Sequence, residues 1–365
     1  MPAQEVRWSS MARSVSVVGG GVIGLSIAWR AARNGWSVKL YDPSIGSGAS
    51  WVAGGMLAPL SEGWPGEESV LELGSASLDR WPEFGKELEA GAGVELFTSE
   101  SSLTVALDGA DAEDLRTIAE WVGAQGRELQ ILNRAEVRAL EPMLGRGVRL
   151  GLLAVEELAV DNRLLLQALQ RCAVDAGVEL IGEAVHSLDR LDTDQIVVTA
   201  GIASPALWPG LPVRPVKGEI LRLRSRPGVT PAPGRTIRGS VHGRPAYLVP
   251  RADGIVVGAT QYESGNDTQV TVAGVRDLIA DAEALMPAIG EYELRETSAG
   301  LRPMTPDNLP LIGRVSDRVV VATGHGRNGI LLTPVTADAT VALLEGSALV
   351  EAKAADPERF EKVAR

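Results

Sequence analysis

The pattern of apolar and polar positions predicts a strand, a helix and a second strand at the start of the chain. Ser14–Val18 is a short β-branched run of the kind that is buried in a parallel sheet. An apolar helical stretch follows over residues 25–32 and ends near Asn34 and Gly35. Ser37–Tyr41 then repeats the strand pattern. This order is typical of the first unit of a Rossmann-type sheet.

Further elements of the same type return late in the chain. The pattern predicts helices over residues 164–176 and 330–344, and strands over residues 178–181, 195–199 and 318–322. Between them it predicts strands over residues 219–223, 246–250 and 254–259, and a helix over residues 272–286. The predicted fold class is therefore α/β: a discontinuous Rossmann-type domain with an interleaved α+β domain, whose mixed sheet carries helices on one face.

The interleaving sets the predicted domain boundaries. Residues 11–57, 151–204 and 311–350 form the Rossmann-type domain, residues 58–150 and 205–310 form the second domain, and residues 1–10 and 351–365 are tails. A ligand is expected between the two domains.

Composition narrows the possible partners. The 365 residues are 45% hydrophobic and carry a formal net charge of −12, which argues against nucleic acid as a partner. No apolar run is long enough for a membrane span. The single cysteine, Cys172, and the three histidines argue against a disulfide and against a metal site. With no targeting signal in the polar first residues, we expect a cytoplasmic protein.

A glycine-rich turn separates the first strand from the first helix. Gly19, Gly21 and Gly24 have the GxGxxG spacing, and Asp42 ends the next strand. Gly19 permits the tight turn, Gly21 lets backbone N–H groups approach a pyrophosphate, and Gly24 allows close packing. The helix N-terminus favours the anion, and Asp42 can accept hydrogen bonds from ribose hydroxyls. This context predicts a dinucleotide site.

Small residues fill positions 46–57, directly after Asp42. Such a segment lets the backbone lie against a flat ring or a phosphate, although composition alone also allows a flexible loop. An NAD-binding domain would continue here with a regular helix and a third strand. The segment and the late return of the sheet therefore argue against an NAD-dependent dehydrogenase.

Several blocks of sequence together resemble the D-amino-acid oxidase branch of the FAD-dependent amine oxidoreductases, and within it the glycine oxidases of thiamine biosynthesis. The resemblance runs from Val15 to about Leu344. Its blocks are residues 18–24, 48–57, 214–219, 247–251, 257–260, 300–303, 310–313 and 324–332. In this order the blocks are specific for the branch and less specific for the substrate.

The resemblance implies non-covalent FAD in extended form. The adenosine end would lie at Asp42 and the adenine at the Val185 backbone, while N–H groups of residues 329–332, at the start of the last helix, would point at flavin C2=O and N1. Cys172 is badly placed for a covalent link. His325 could donate a hydrogen bond or cap the turn, and we favour the cap. The residues implied to bind FAD are Gly19, Gly21, Val22, Ile23, Gly24, Asp42, Pro43, Ala49, Ser50, Gly54, Gly55, Met56, Val185, His325, Gly326, Arg327, Asn328, Gly329, Ile330 and Leu331.

Oxidation of an amino acid moves a hydride from Cα to flavin N5, so the protein has to orient the substrate rather than supply a base. Arg302 is the candidate for the substrate carboxylate, because its planar fork donates two parallel hydrogen bonds. By the resemblance, the Tyr247 hydroxyl assists Arg302 and Arg327 lies near the substrate. An exposed arginine, a core tyrosine and a loop arginine are the structural alternatives for these three residues.

The resemblance implies oxidative deamination of glycine, and of sarcosine or small D-amino acids, to the imino acid. O2 would be the electron acceptor and H2O2 the product, and iminoacetate (dehydroglycine) would serve the thiazole moiety of thiamine. A homo-oligomer is expected. Gln261 stands where the bacterial glycine oxidase pattern has an apolar residue, which leaves the preferred amine open. The alternatives are a D-amino-acid oxidase or dehydrogenase, a sarcosine oxidase-like enzyme, and a flavin-binding module without turnover.

Overall fold

The structure, a computed structural model, describes residues 13–360, so the predicted tail over residues 1–10 lies outside it. The strands are β1 (Ser14–Val18), β2 (Ser37–Tyr41), β3 (Met56–Leu57), β4 (Phe97–Ser99), β5 (Ser102–Ala106), β6 (Gln130–Asn133), β7 (Leu150–Ala154), β8 (Leu158–Val160), β9 (Glu179–Ile181), β10 (Gln195–Val198), β11 (Arg214–Arg224), β12 (Thr236–Val241), β13 (Arg244–Arg251), β14 (Gly254–Gly258), β15 (Glu293–Met304), β16 (Leu311–Arg314) and β17 (Val319–Thr323). The helices are α1 (Val22–Arg33), α2 (Ala49–Val52), α3 (Glu68–Leu78), α4 (Trp81–Ala92), α5 (Gly109–Ala124), α6 (Arg134–Leu140), α7 (Asn162–Asp175), α8 (Ser204–Leu207), α9 (Val272–Leu285) and α10 (Thr333–Leu344).

A six-stranded sheet brings together the beginning, middle and end of the chain. Its order is β16-β17-β10-β1-β2-β9, with all neighbours parallel except β16, which is antiparallel to β17. α1 packs against α7 and α10, and the core between sheet and helices includes Val17, Ile27 and Leu169, none of them exposed. The strands predicted for a Rossmann-type sheet are confirmed, because apolar β-branched runs such as β17 suit a sheet covered on its faces.

An eight-stranded sheet lies beside it, in the order β15-β11-β14-β13-β12-β5-β7-β6. Its neighbours are antiparallel except β12 and β5, which are parallel. α9 covers one face, where Leu278 and Leu285 pack with Leu221 and Leu248. The predicted mixed sheet with a covering helix is confirmed, and a small third sheet, β3-β8-β4, adds strands that the pattern did not predict.

The last helix differs from the prediction. The prediction starts it at residue 330, with residues 329–332 as its first turn, but α10 begins at Thr333 and residues 329–332 form turns. Pro334 stands in the first turn of α10, where a missing N–H costs nothing. The predicted first turn of this helix is therefore wrong.

The end of the described chain also differs from the prediction of a tail. Val350–Ala355 and Pro357–Arg359 are short 3-10 helices, and Ala352, Ala355 and Pro357 are buried. The described part of that predicted tail therefore packs on the fold. Among residues 13–360, no helix combines the length and apolar character that crossing a membrane would need.

Candidate active site

The glycine-rich turn joins β1 to α1 in a conformation that side chains would block. Gly19 has a φ of 115°, and a Cβ there would lie 2.5 Å from the Thr199 carbonyl oxygen. A Cβ at Gly24 would clash with the Gly19 carbonyl oxygen. Both positions need glycine, because only glycine allows this φ and this close approach of helix to strand.

The start of α1 presents free donors. Val22 N–H donates to Ser50 Oγ at 3.1 Å, which ties this turn to α2. The N–H groups of Ile23 and Gly24 have no acceptor among residues 13–360, and Gly21 at the N-cap supplies no side chain. Free first-turn N–H groups at a helix N-terminus suit a pyrophosphate.

Asp42 lies beside this turn at the end of β2. Its Oδ2 accepts a hydrogen bond from Gly20 N–H at 2.6 Å, and its Oδ1 accepts one from Ser44 N–H at 2.7 Å. Pro43 is exposed, and Val185 is half-buried in the apolar cluster on one face of the six-stranded sheet. The structure therefore places Asp42 at the glycine turn and Val185 in a loop that packs against one face of the same sheet.

The segment predicted to line the flavin forms α2, a turn and β3. Ala49 and Ser50 lie in α2, and Met56 begins β3. Gly55 has a φ of 85°, and a Cβ there would clash with the Val160 carbonyl oxygen. This position also needs glycine, because both the left-handed backbone and the close approach to β8 exclude a side chain.

Asn162 and Arg251, two residues that sequence reasoning missed, hold the main chain of this segment. The Asn162 amide donates to the carbonyls of Ser50 and Trp51, both at 2.8 Å. Arg251 Nη2 donates to the Gly54 carbonyl at 2.8 Å. Asn162 and Arg251 are buried, so three carbonyls of the segment are fixed from behind.

Two guanidinium groups, one buried and one half-buried, converge on Asn162. Its Oδ1 accepts hydrogen bonds from Arg222 Nη2 at 2.9 Å and Arg251 Nη2 at 3.3 Å. Burial lowers the pKa of Arg251 to about 10, so this residue is still a cation at neutral pH. Asp161 Oδ2 lies 3.2 Å from Arg251 Nε. The positive charge of the arginines that contact residues 49–56 from one side therefore favours negative charge on a group bound at the other side of this segment.

Tyr247 on β13 packs against the same segment. A Cβ at Gly54 would lie 3.1 Å from the Tyr247 hydroxyl oxygen, and a Cβ at Gly258 would clash with the ring. Burial raises the pKa of Tyr247, and the charge of Arg302 opposes that rise. The hydroxyl is therefore protonated at neutral pH and can donate a hydrogen bond.

Arg302 lies on β15 with its guanidinium over Gly218 of β11, where a Cβ would lie 2.5 Å from Cζ. Nη1 donates to the Thr260 carbonyl at 3.2 Å. Among residues 13–360, no carboxylate forms an ion pair with Arg302. Burial lowers its pKa from a very high ordinary value, so the group stays charged. This charge can accept an external carboxylate.

β15 brings Arg302 close to both segments predicted to hold the cofactor. Gly300, two residues earlier, faces Val52 of α2, and a Cβ at Gly300 would lie 3.1 Å from Val52 Cβ. Met304, two residues later, forms a β-bridge with His325. The strand therefore spans from α2 to the turn after β17, with Arg302 between them.

The turn after β17 contains Gly326–Asn328, a short 3-10 helix. The N–H groups of Gly329, Ile330 and Leu331 donate to no acceptor within the described part of the chain. Free N–H groups of this kind suit a carbonyl or anionic edge of a bound ring. Three of the predicted donors, at residues 329–331, are present in a turn and not in the first turn of α10, whereas the Leu332 N–H donates to the Asn328 carbonyl at 2.8 Å.

His325 does not cap this turn, contrary to the expectation. Its Nε2 is 3.0 Å from Thr336 Oγ1 inside α10, and no side-chain cap hydrogen bond forms. Burial lowers the pKa of His325 to about 3, so the ring is neutral at physiological pH. The side chain therefore fixes the turn to α10, while its carbonyl accepts the Asn328 N–H at 3.0 Å.

Arg327 is ion-paired. Its Nε lies 3.2 Å from Glu62 Oε2, and its Nη2 lies 3.9 Å from Glu67 Oε2, with about half of the side chain exposed. Glu62 Oε1 in turn lies 3.0 Å from Arg238 Nη2. Sequence reasoning missed Glu62 and Arg238, because their pairing joins residues far apart in the chain.

Two other residues singled out from the sequence lie away from these contacts. Gln261 is exposed, next to Thr260. Cys172 is buried on α7, where its Sγ faces the Leu88 carbonyl of α4 at 4.0 Å. Its thiol therefore points into the packing between two helices.

Comparison with known proteins gives results that agree with this geometry. The family model described as DAO, FAD dependent oxidoreductase, matches residues 14–343. A ThiO protein of Rhizobium etli, described as a thiamine biosynthesis oxidoreductase, is 34% identical over 88% of this chain and 94% of its own length. A glycine oxidase of Pseudomonas putida is 30% identical over 92% of this chain and 96% of its own length.

The fold has similar solved structures. The crystal structure of glycine oxidase from Geobacillus kaustophilus matches with a TM-score of 0.86 and 28% identity, covering 94% of this chain and 98% of that one. The chain also matches bifunctional ThiO/ThiG proteins, of which it spans about half the length, as in Trichormus variabilis at 32% identity over 90% of this chain and 52% of that protein.

Proposed function

The chain belongs to the DAO family of FAD dependent oxidoreductases, and on that premise we propose that it oxidises glycine to the imino acid. The observation that carries the proposal is the half-buried guanidinium of Arg302, which forms no ion pair with a carboxylate among residues 13–360 and lies on the strand that spans from α2 to the turn after β17. The glycine oxidase names of relatives at 30% identity over most of the chain support the same substrate. Sarcosine and small D-amino acids are further substrates in this proposal.

In the proposed reaction the amine loses a hydride from Cα and a proton from nitrogen, and water then converts the imine to the oxo acid and ammonium. Bound FAD supplies the chemistry by accepting the hydride and passing the two electrons to O2, which with protons becomes H2O2. Arg302 binds the substrate carboxylate through two parallel hydrogen bonds, and the Tyr247 hydroxyl donates a further one. These contacts fix the orientation of Cα.

Three segments of the main chain contain the residues proposed to hold FAD. Free N–H groups at Ile23 and Gly24 suit the pyrophosphate, and Asp42 suits the ribose. Residues 49–56 would lie along the flavin, with the free N–H groups of residues 329–331 at its carbonyl edge. Cys172 is the single cysteine and is buried between helices, which supports a non-covalent cofactor.

The wider role is also a proposal. The ThiO names among the relatives support supply of the imino acid to the thiazole moiety of thiamine. The six-stranded sheet supports assigning most of residues 11–57, 151–204 and 311–350 to one domain, and the eight-stranded sheet supports assigning most of the interleaved residues to the other; residues 151–154, as part of β7, belong to the eight-stranded sheet.

The test is an absorption spectrum of the purified protein, followed by anaerobic addition of glycine. The proposal requires a flavin spectrum that bleaches with glycine and recovers in air with formation of H2O2. Arg302→Leu is the matched variant, which should keep the flavin spectrum and lose bleaching at the same glycine concentration. If the flavin does not bleach with glycine but bleaches with sarcosine or D-alanine, that amine replaces glycine as the proposed substrate. A protein that binds no FAD would overturn the proposal.

A further inference from the structure

Glu62 lies between two arginines near the predicted substrate site. Its Oε1 is 3.0 Å from Arg238 Nη2, and its Oε2 is 3.2 Å from Arg327 Nε. The carboxylate is therefore shared by two guanidinium groups from different parts of the chain. About 13% of the Glu62 side chain and 17% of the Arg238 side chain are exposed, so this pair is largely shielded from water.

The segment that carries Glu62 is anchored to a buried carboxylate. Glu157 is fully buried, and its Oε1 accepts hydrogen bonds from the Leu60 and Ser61 N–H groups, both at 2.7 Å. Ser61 Oγ donates to Glu157 Oε2 at 2.6 Å and accepts a hydrogen bond from Arg238 Nη1 at 2.7 Å. Glu62 therefore has a fixed position relative to Arg238.

The cluster of Glu62, Arg238 and Arg327 adjoins the proposed site for the substrate carboxylate. Arg238 on β12 is the cross-strand partner of Tyr247 on β13, and partners directly opposite each other project from the same face of a sheet. Arg302 lies on β15, and the sheet order β15-β11-β14-β13-β12 puts β13, which carries Tyr247, between Arg302 and Arg238. The cluster thus lies beyond Tyr247 as seen from Arg302.

Two guanidinium groups that share one carboxylate can equally bind a second acid group of a substrate, but Glu62 already occupies both of them. We propose that Glu62 is a specificity-determining residue that restricts the enzyme to amines with one acid group, by filling with its own carboxylate the place where a second one would bind. This inference rests on the proposed amine oxidation. A buried negative charge at this place also repels a second carboxylate directly.

The test compares two substrates in wild-type and Glu62→Gln enzyme loaded with FAD. Glycine has one carboxylate, and iminodiacetate is glycine with a second carboxymethyl group on nitrogen. Glu62→Gln removes the charge that repels a second carboxylate and weakens the bonds to both arginines, so it should raise the ratio of kcat/KM for iminodiacetate to that for glycine by about tenfold or more. An unchanged ratio would overturn the inference.

Glu67→Gln is the matched control. It removes the same charge, 3.9 Å from Arg327, but leaves the pairs of Glu62 with Arg238 and Arg327 intact. A general loss of repulsion would raise the ratio equally in both variants and so contradict a specific role for Glu62. A rise confined to Glu62→Gln supports it.

Arg238→Gln tests the inference independently if Glu62→Gln does not fold. Without Arg238 the cluster is more negative, so the iminodiacetate-to-glycine ratio should fall below that of the wild type, and an unchanged ratio would count against the inference. The proposed function fails differently, because a wild-type enzyme that oxidises neither amine rejects the reaction itself. A wild type that oxidises glycine and iminodiacetate equally well rejects only the role of Glu62.

Discussion

Asn162→Ala tests whether the network behind residues 49–56 positions the cofactor. The change removes two donated hydrogen bonds, to the Ser50 and Trp51 carbonyls, and the acceptor shared by Arg222 and Arg251. At about 1 kcal/mol for each neutral bond and about 1.5 kcal/mol for each bond from a charged donor, the free energy of unfolding should fall by about 3–5 kcal/mol. Alanine at the first position of α7 adds no helix penalty.

Two measurements separate positioning from simple stability. Urea unfolding of the FAD-loaded and flavin-free proteins gives the loss of folding free energy. The Kd of FAD, from quenching of its fluorescence, should rise by about tenfold or more, because the segment must now be ordered when FAD binds. The variant should also shift the midpoint potential of the flavin, since the arginine charges behind the segment move.

Asn162→Asp is the matched comparison. It keeps an acceptor for both guanidinium groups, but a carboxylate oxygen replaces the amide that donated to the two carbonyls and repels them, so residues 49–56 should be displaced while the arginines stay paired. A variant that is less stable but has an unchanged Kd and an unchanged potential would refute the positioning role. Asn162 would then support the fold alone.

Three further predictions address the other parts of the site. Arg302→Lys should raise the KM for glycine by about 100-fold with the FAD affinity unchanged, because an ammonium group cannot form the two parallel bonds; an unchanged KM would argue against carboxylate binding here. His325 has a pKa of about 3 in the folded protein and about 6.5 in the unfolded chain, so between these pH values the unfolded chain binds more protons. The free energy of unfolding should therefore fall by about 1.4 kcal/mol for each pH unit as the pH is lowered from 6.5 towards 3. His325→Gln should remove that component of the pH dependence of urea unfolding, and an identical pH profile would contradict it. Gly329→Val should leave the flavin-free protein folded, because the nearest atom to a Cβ there is 3.7 Å away, yet it should weaken FAD binding; unchanged binding by titration would place the flavin edge elsewhere.

The sequence predicts best those features that are fixed by backbone geometry over a short stretch. Gly19 and Gly24 can be assigned from spacing, because each holds a conformation or an approach that a Cβ would prevent. Most strands of the six-stranded sheet can be assigned because they contain a short run of apolar, mostly β-branched residues, as in β1 and β17. The start of α10 could also have been predicted, because Pro334 favours the first turn of a helix. The prediction placed that turn too early.

The contacts that hold the site together cannot be read from local patterns. Asn162 and Arg251 meet Ser50 and Gly54 over more than a hundred residues of chain. Arg251 carried one usable signal, because it directly follows the predicted strand over residues 246–250, and a charged side chain that is buried at a strand end needs partners. Nothing in the neighbouring sequence of Glu62 indicates that it would meet Arg238 and Arg327.

The charges of the molecule also bear on how it selects its substrate. The chain has a formal net charge of −12, whereas Arg302, the group proposed to bind the substrate carboxylate, is a cation. Glycine is a zwitterion without net charge, so the long-range field neither attracts nor repels it, and its recognition depends on contacts at short range. Iminodiacetate carries a net negative charge at neutral pH, so both the overall field and Glu62 oppose its binding. Salt separates the two effects: it screens the field of surface charges but acts little on the shielded Glu62–Arg238 pair, so whatever discrimination persists at high ionic strength belongs to Glu62.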